Sequence, residues 1–155
     1  IVRYNHIVPQ YTDENNNKIN FNNISIGLIL ILIGFLKKIL IADNLGHFVD
    51  IGYENPTTLS VIESWLISIS FTFQIYFDFT GYVDMATGSA MLFNIKLPQN
   101  FDSPFKANSL INFWQRWHMT LTNFLTSYIF NPSVKALKEV TFLKMMLIII
   151  MVLIN

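Results

Sequence analysis

"ISIGLILILIGFLKKILIA", Ile24 to Ala42, runs 19 residues and meets no charge until Lys37. A helix rises about 1.5 Å per residue, so about 20 apolar residues cross the hydrocarbon of a bilayer. The stretch reads as a membrane span, and with it the chain reads as all-α, a polytopic transmembrane helix bundle. Lys37 and Lys38 stand near its C-terminal end. Long cationic side chains there reach to the headgroups and favour the cytoplasmic side.

The composition points the same way. The 155 residues are 52% hydrophobic and 13% charged, with mean hydropathy +0.43. A soluble domain carries about 25% charged residues. Ten basic residues balance ten acidic ones, which argues against a nucleic-acid partner. Without cysteine there is no disulfide, no thiolate catalysis and no cysteine zinc site, and thioester chemistry must bring its sulfur from outside the chain. The chain has no initiator Met, and the apolar run "MMLIIIMVLI", Met145 to Ile154, is too short to span by itself. These ends suggest a fragment from the middle of a larger protein.

Outward from the first span, residues 1–23 are polar, with "ENNNK" at Glu14 to Lys18, and read as an extramembrane loop. Asp43 to Thr58, with Gly52 and Pro56, reads as the loop after the span at 24–42. A second span is expected near 59–77, with Glu63 near its start as an interfacial residue. In "DFTGYVDMATGSAMLF", Asp78 to Phe93, Gly81 either breaks the helix or is passed through, and the small residues around Gly88 admit a close neighbour. Asn94 to Ser109 is a loop with Pro98 and Pro104. An amphipathic or re-entrant helix follows near 109–130, capped by Asn108 or Ser109 and stopped before Pro132. Leu110, Trp114, Trp117, Leu121, Phe124 and Tyr128 form its apolar stripe at spacings of 4, 3, 4, 3 and 4. A third span begins near 142 and runs to 155.

His118 borders that stripe. Partial desolvation favours its neutral imidazole, which can accept a proton from a hydroxyl. Histidine between tryptophans is equally the pattern of a membrane-interface belt. Asp78 and Asp84, with Tyr82 between them, lie at the end of an apolar run. An acid costs about 2.5–3.5 kcal/mol at the bilayer centre, so the pair implies a polar pocket or a headgroup position. Arg116 has headgroups, an anionic substrate, Asp102 or Asp84 as candidate partners. No histidine and acid near His118 fall at ligand spacing on one helix face, so no metal site is expected.

Several stretches resemble one known family. "GFLKKILIADNL" (Gly34 to Leu45), "QIYFDFTGYVDMATGSAMLFNIKLPQNFDSPF" (Gln74 to Phe105) and "NFWQRWHMTLTNFLTSYIF" (Asn112 to Phe130) are similar to segments of the membrane-bound O-acyltransferases, in the bacterial branch that acetylates alginate and related polymers. Ile1 to Gln10 resembles a loop segment of that family. Two departures are Gln115, where arginine is usual, and Asn131-Pro132-Ser133, where a Pro-Leu-Gly-Gly turn is typical.

The resemblance implies a multi-pass bundle in the bacterial inner membrane, built around a tunnel. An acyl group passes from a thioester donor, acetyl-CoA or a relative of it, toward hydroxyls of a cell-surface polysaccharide. No cofactor is bound, and a separate periplasmic acetyltransferase is the implied partner. His118 matches the first of two family histidines. The second, in a Trp-His-Gly motif, is expected beyond Asn155, so this piece alone is expected to be inactive. Asp78, Tyr82, Asp84, Arg116 and Trp117 are expected to line the tunnel. D-alanyl transfer to teichoic acid is a variant on the same fold. A transporter or channel segment with an Asp78, Asp84 and His118 relay is the alternative from another class.

Overall fold

The computed structural model describes residues 2–136 and Met146. Every regular element among the described residues is helical. The described residues fall into two compact units, one of residues 4–97 and one of residues 2–3 with 98–136.

The first unit is built on two long antiparallel helices. One begins as α2, Phe21–Leu36, loosens into a π-helical stretch at Lys37–Ala42, and continues as α3, Asp43–Glu54. The expected loop from Asp43 is therefore helical as far as Glu54. The reason is tertiary: Gly46 and Gly52, breakers in isolation, are buried against α4, Val61–Leu92. The helix from Phe21 to Glu54 has 34 residues, about 51 Å at 1.5 Å per residue. Among the described residues it is the one helix long and apolar enough to cross a membrane, and only 11% of its most apolar window is buried within the chain.

The second expected span, 59–77, is the first part of α4, which runs through Gly81 without a break. Its 32 residues are long enough to cross a bilayer, but Glu63, Gln74, Asp78, Asp84 and several hydroxyls hold its hydropathy below that of a span by composition. The segment 142–155, apart from Met146, lies outside the described residues.

Glycine decides how α2 and α4 meet. Gly27 faces Gly88 and Gly34 faces Gly81, so the two backbones touch at points one heptad apart. A Cβ on Gly27 would stand 2.7 Å from the Gly88 carbonyl oxygen, and one on Gly81 would stand 2.8 Å from that of Gly34. Without side chains at the crossing, dispersion contacts form between the helices themselves.

Local chemistry sets the ends. Ser60 and Glu63 form a reciprocal cap at the start of α4: the Ser60 N–H donates to Glu63 Oε2 at 2.7 Å, and the Glu63 N–H donates to Ser60 Oγ at 3.3 Å. Glu63 is thus a capping residue, a role legible in the Ser-x-x-Glu spacing but assigned to the interface from sequence. At the other end, Asn94 adopts a left-handed backbone with φ 59°. Its side-chain amide donates to the carbonyls of Asn16 (2.8 Å) and Lys18 (2.7 Å) and accepts from Asn23 (2.9 Å). The asparagine-rich segment is therefore a tie across the helix ends. It follows a short helix, α1 (Tyr4–Tyr11), and is itself wound into a 3₁₀ turn at Glu14–Asn17.

In the second unit, the single helix expected over 109–130 is broken. α5 spans Leu110–Arg116, α6 spans Met119–Leu125, and a π-helical stretch at Thr126–Phe130 leads into α7, Asn131–Ala136. Ser109 caps α5, its side chain accepting from the Asn112 N–H at 3.1 Å. Pro132 does not stop the chain of helices. It sits at the second position of α7, which continues the π-helical stretch without a break.

Candidate functional site

The break falls on His118. Trp117 has extended backbone angles (φ −97°, ψ 127°), and His118 follows in the left-handed region (φ 45°, ψ 51°). L side chains rarely adopt that conformation, which costs about 1–2 kcal/mol. The continuous stripe through Trp114, Trp117 and Leu121 is therefore interrupted, and the imidazole stands at a corner between two helices.

The loop before α5 braces this corner. The Met119 N–H donates to the Asn100 carbonyl (2.9 Å), and the Thr120 N–H and hydroxyl donate to Asn100 Oδ1 (3.3 and 2.9 Å). On the other side, the Asp102 N–H donates to the Arg116 carbonyl (3.0 Å), and Arg116 Nη1 donates to the Asp102 carbonyl (3.2 Å). The Arg116 guanidinium also stands 3.5 Å from the Asp102 carboxylate, and its Nε donates to Asn112 Oδ1 at 3.1 Å. Asp102, one of the partners considered for Arg116, is the acid that it meets.

Aromatic rings fill the corner. Phe101 meets Trp117 edge-on with centroids 5.1 Å apart and lies nearly parallel to His118 at 6.5 Å. Phe113 stacks on Trp117 at 5.5 Å, and Phe105 closes against both Phe113 and Trp117. Pro104, next to Phe105 in the chain, is fully buried. Burial lowers the His118 pKa below its ordinary 6.5, so the ring is neutral at pH 7. A neutral, half-buried imidazole on a braced corner can take a proton from a hydroxyl and return it.

The acids expected beside it belong to the other unit, on α4. Asp84 accepts from Lys37 Nζ at 2.6 Å, both side chains being part-buried, with 24% and 31% exposed. Asp78 pairs with Lys38 at 2.6 Å, and Lys38 also reaches Asp43 at 3.0 Å. The lysines expected to reach for headgroups thus bridge to the neighbouring helix. Both lysines open the π-helical stretch, and each reaches an acid on α4. Tyr82, between the two acids in sequence, is exposed. Among the described residues no group of three His, Cys, Asp or Glu converges on one point.

Residues 1–152 match the profile described as the membrane-bound O-acyltransferase family. The chain belongs to that family. A peptidoglycan O-acetyltransferase from Helicobacter pylori is 50% identical over 132 residues, covering 85% of this chain and 25% of the relative. A probable alginate O-acetylase from Pseudomonas putida is 35% identical over 132 residues, covering 84% of this chain and 26% of the relative. A teichoic acid D-alanyltransferase from Bacillus subtilis is 32% identical over 104 residues, covering 67% and 26%. The chain spans about a quarter of the length of these relatives.

Within this O-acyltransferase segment, Arg116, Trp117 and His118 are held together by one braced corner, while Asp78 and Asp84 take part in a ladder of ion pairs. The sequence suggests Asp102 as a partner for Arg116 but assigns no role to Asn100 or Phe101, although both stand in the family-like stretch. Their partners lie at least 14 residues away along the chain, and the sequence carries no local signal for a bond of that span.

Proposed function

We propose that this chain is part of a multi-pass inner-membrane O-acyltransferase that carries an acyl group, acetyl by the names of the Helicobacter and Pseudomonas relatives, from a thioester donor such as acetyl-CoA to a hydroxyl of a cell-surface polysaccharide. Family membership supports the reaction class. The observation that carries His118 into the chemistry is the strained corner that holds a neutral imidazole among aromatic rings.

In this reading the acceptor oxygen bonds to the acyl carbon, the carbon–sulfur bond breaks, and the acceptor proton passes by way of imidazole to the departing thiolate. His118 lines the conduit and supports a second histidine in a Trp-His-Gly motif after the next span, which acts as principal base. Donors near the carbonyl hold the developing oxyanion. Spans near 24–42 and 59–77 supply part of the wall, and the exposed apolar side chains of α2 and α4, Leu28, Leu32, Trp65 and Leu66 among them, face lipid or the remaining helices. A periplasmic acetyltransferase completes delivery to the polymer. The names of two relatives, from Bacillus subtilis and Streptococcus thermophilus, support D-alanyl transfer to teichoic acid as the second reading on the same corner.

The test is His118→Ala in the full-length parent. Polymer acylation is expected to fall while the amount of protein in the membrane stays near normal. Undiminished acylation would return His118 to the interface belt.

A further inference from the structure

The tripeptide Asn100-Phe101-Asp102 lies across the helix break like a splint, and its first residue holds the side of the break that His118 opens. We propose that Asn100 is a positioning residue for His118, fixing the imidazole by gripping the two residues that follow it. This rests on the reading of His118 as a group acting in acyl transfer.

Three observations carry the proposal. First, His118 occupies a left-handed conformation, with φ 45°, that needs support from its surroundings. Second, the first N–H groups of a helix have no partners within it. Here Met119 and Thr120 give theirs to Asn100, one to its carbonyl and one to its side-chain oxygen, which also accepts the Thr120 hydroxyl. Asn100 therefore caps α6 from a distance, with His118 at the corner. Third, Asp102 grips Arg116 on the far side of the break, and Phe101 between them sets its ring against Trp117 and His118. A single short segment thus fixes both helix ends and one face of the ring. The side chain at 100 must reach two donors with one oxygen. Asparagine and aspartate do this; alanine does not.

The experiment uses the full-length parent in membranes, with Asn100→Ala, Asn100→Asp, Thr120→Val and His118→Ala. It measures membrane protein level, kcat and KM for the acyl donor, and kcat against pH. Asn100→Ala is expected to lower kcat by about 10–100-fold, the range known for losing a hydrogen bond that orients a metal-bound histidine. KM should stay within about twofold, because donor binding is not the contact removed. The acid limb of the kcat profile should also move, because the surroundings of the imidazole change. Asn100→Asp should restore most of the rate, and Thr120→Val should give a smaller loss in the same direction.

A normal kcat and profile in Asn100→Ala overturns the proposal. So does a loss that follows protein level, leaves the acid limb in place and is not recovered by Asn100→Asp, since that describes folding alone. His118→Ala separates the two levels. If it leaves transfer intact, the acyl-transfer role of His118 fails. If it abolishes transfer while Asn100→Ala is normal, only the positioning role fails.

Discussion

Replacing Gly34 by alanine tests whether backbone contact sets the α2–α4 crossing. A Cβ there would stand 2.8 Å from Met85 Cγ and 2.9 Å from the Met85 backbone nitrogen, and it would also press on the Gly81 carbonyl oxygen. The nitrogen lies roughly 0.6 Å inside ordinary contact at about 3.5 Å, and backbone cannot rotate away as a side chain can. The helices must part, and the matching Gly27–Gly88 contact loosens with them. Overpacking of this kind costs about 1–3 kcal/mol. The better helix propensity of alanine offsets at most about 1 kcal/mol of it. Gly46→Ala is the control. Its Cβ would meet the far end of Gln74, at 2.8 Å from Nε2, and that amide can swing aside. Thermal unfolding of the full-length parent in detergent should place Gly34→Ala below wild type by about 1–2 kcal/mol, with Gly46→Ala at or above it. If Gly34→Ala proved as stable as Gly46→Ala, backbone contact would not be what sets the crossing.

Three further outcomes follow from the same geometry. Lys37→Ala or Asp84→Ala should each cost about 1–2 kcal/mol, below the 3–5 kcal/mol of a fully buried pair because both side chains are part-exposed, while Lys37→Met with Asp84→Leu together should cost less than either single change, as read from the same melts. Because burial lowers the folded pKa of His118, the unfolded chain binds its proton first as pH falls; this contribution is whole above pH 6.5 and shrinks as pH drops from there toward the folded value, and His118→Asn should flatten that part of a stability–pH curve. His118→Gly should unfold at least as late as wild type, since glycine adopts φ 45° freely, and should exceed His118→Ala by about 1 kcal/mol while both lose transfer.

How much was legible depends on the range of the interaction. The apolar run Ile24–Ala42, the Ser109 cap and the proline-bearing loop after Asn94 are written within a few neighbouring residues, so a helix, its start and a break could be read directly. The Trp-Gln-Arg-Trp-His stretch marked its residues for a site, and its family resemblance told more than its periodicity. That periodicity misled: spacings of 4 and 3 through Leu110, Trp114, Trp117 and Leu121 predict one helix, yet His118 turns left-handed between two.

An all-helical, membrane-type chain of the O-acyltransferase family is written in neighbouring residues, because hydropathy, caps and motif are local properties. Long-range packing was needed to keep Asp43–Glu54 helical, to pair Lys37 and Lys38 with Asp84 and Asp78, and to set His118 on a corner braced by Asn100 and Asp102. Each of these is a contact between residues distant in the chain, where packing against a partner outweighs the propensity of the segment alone.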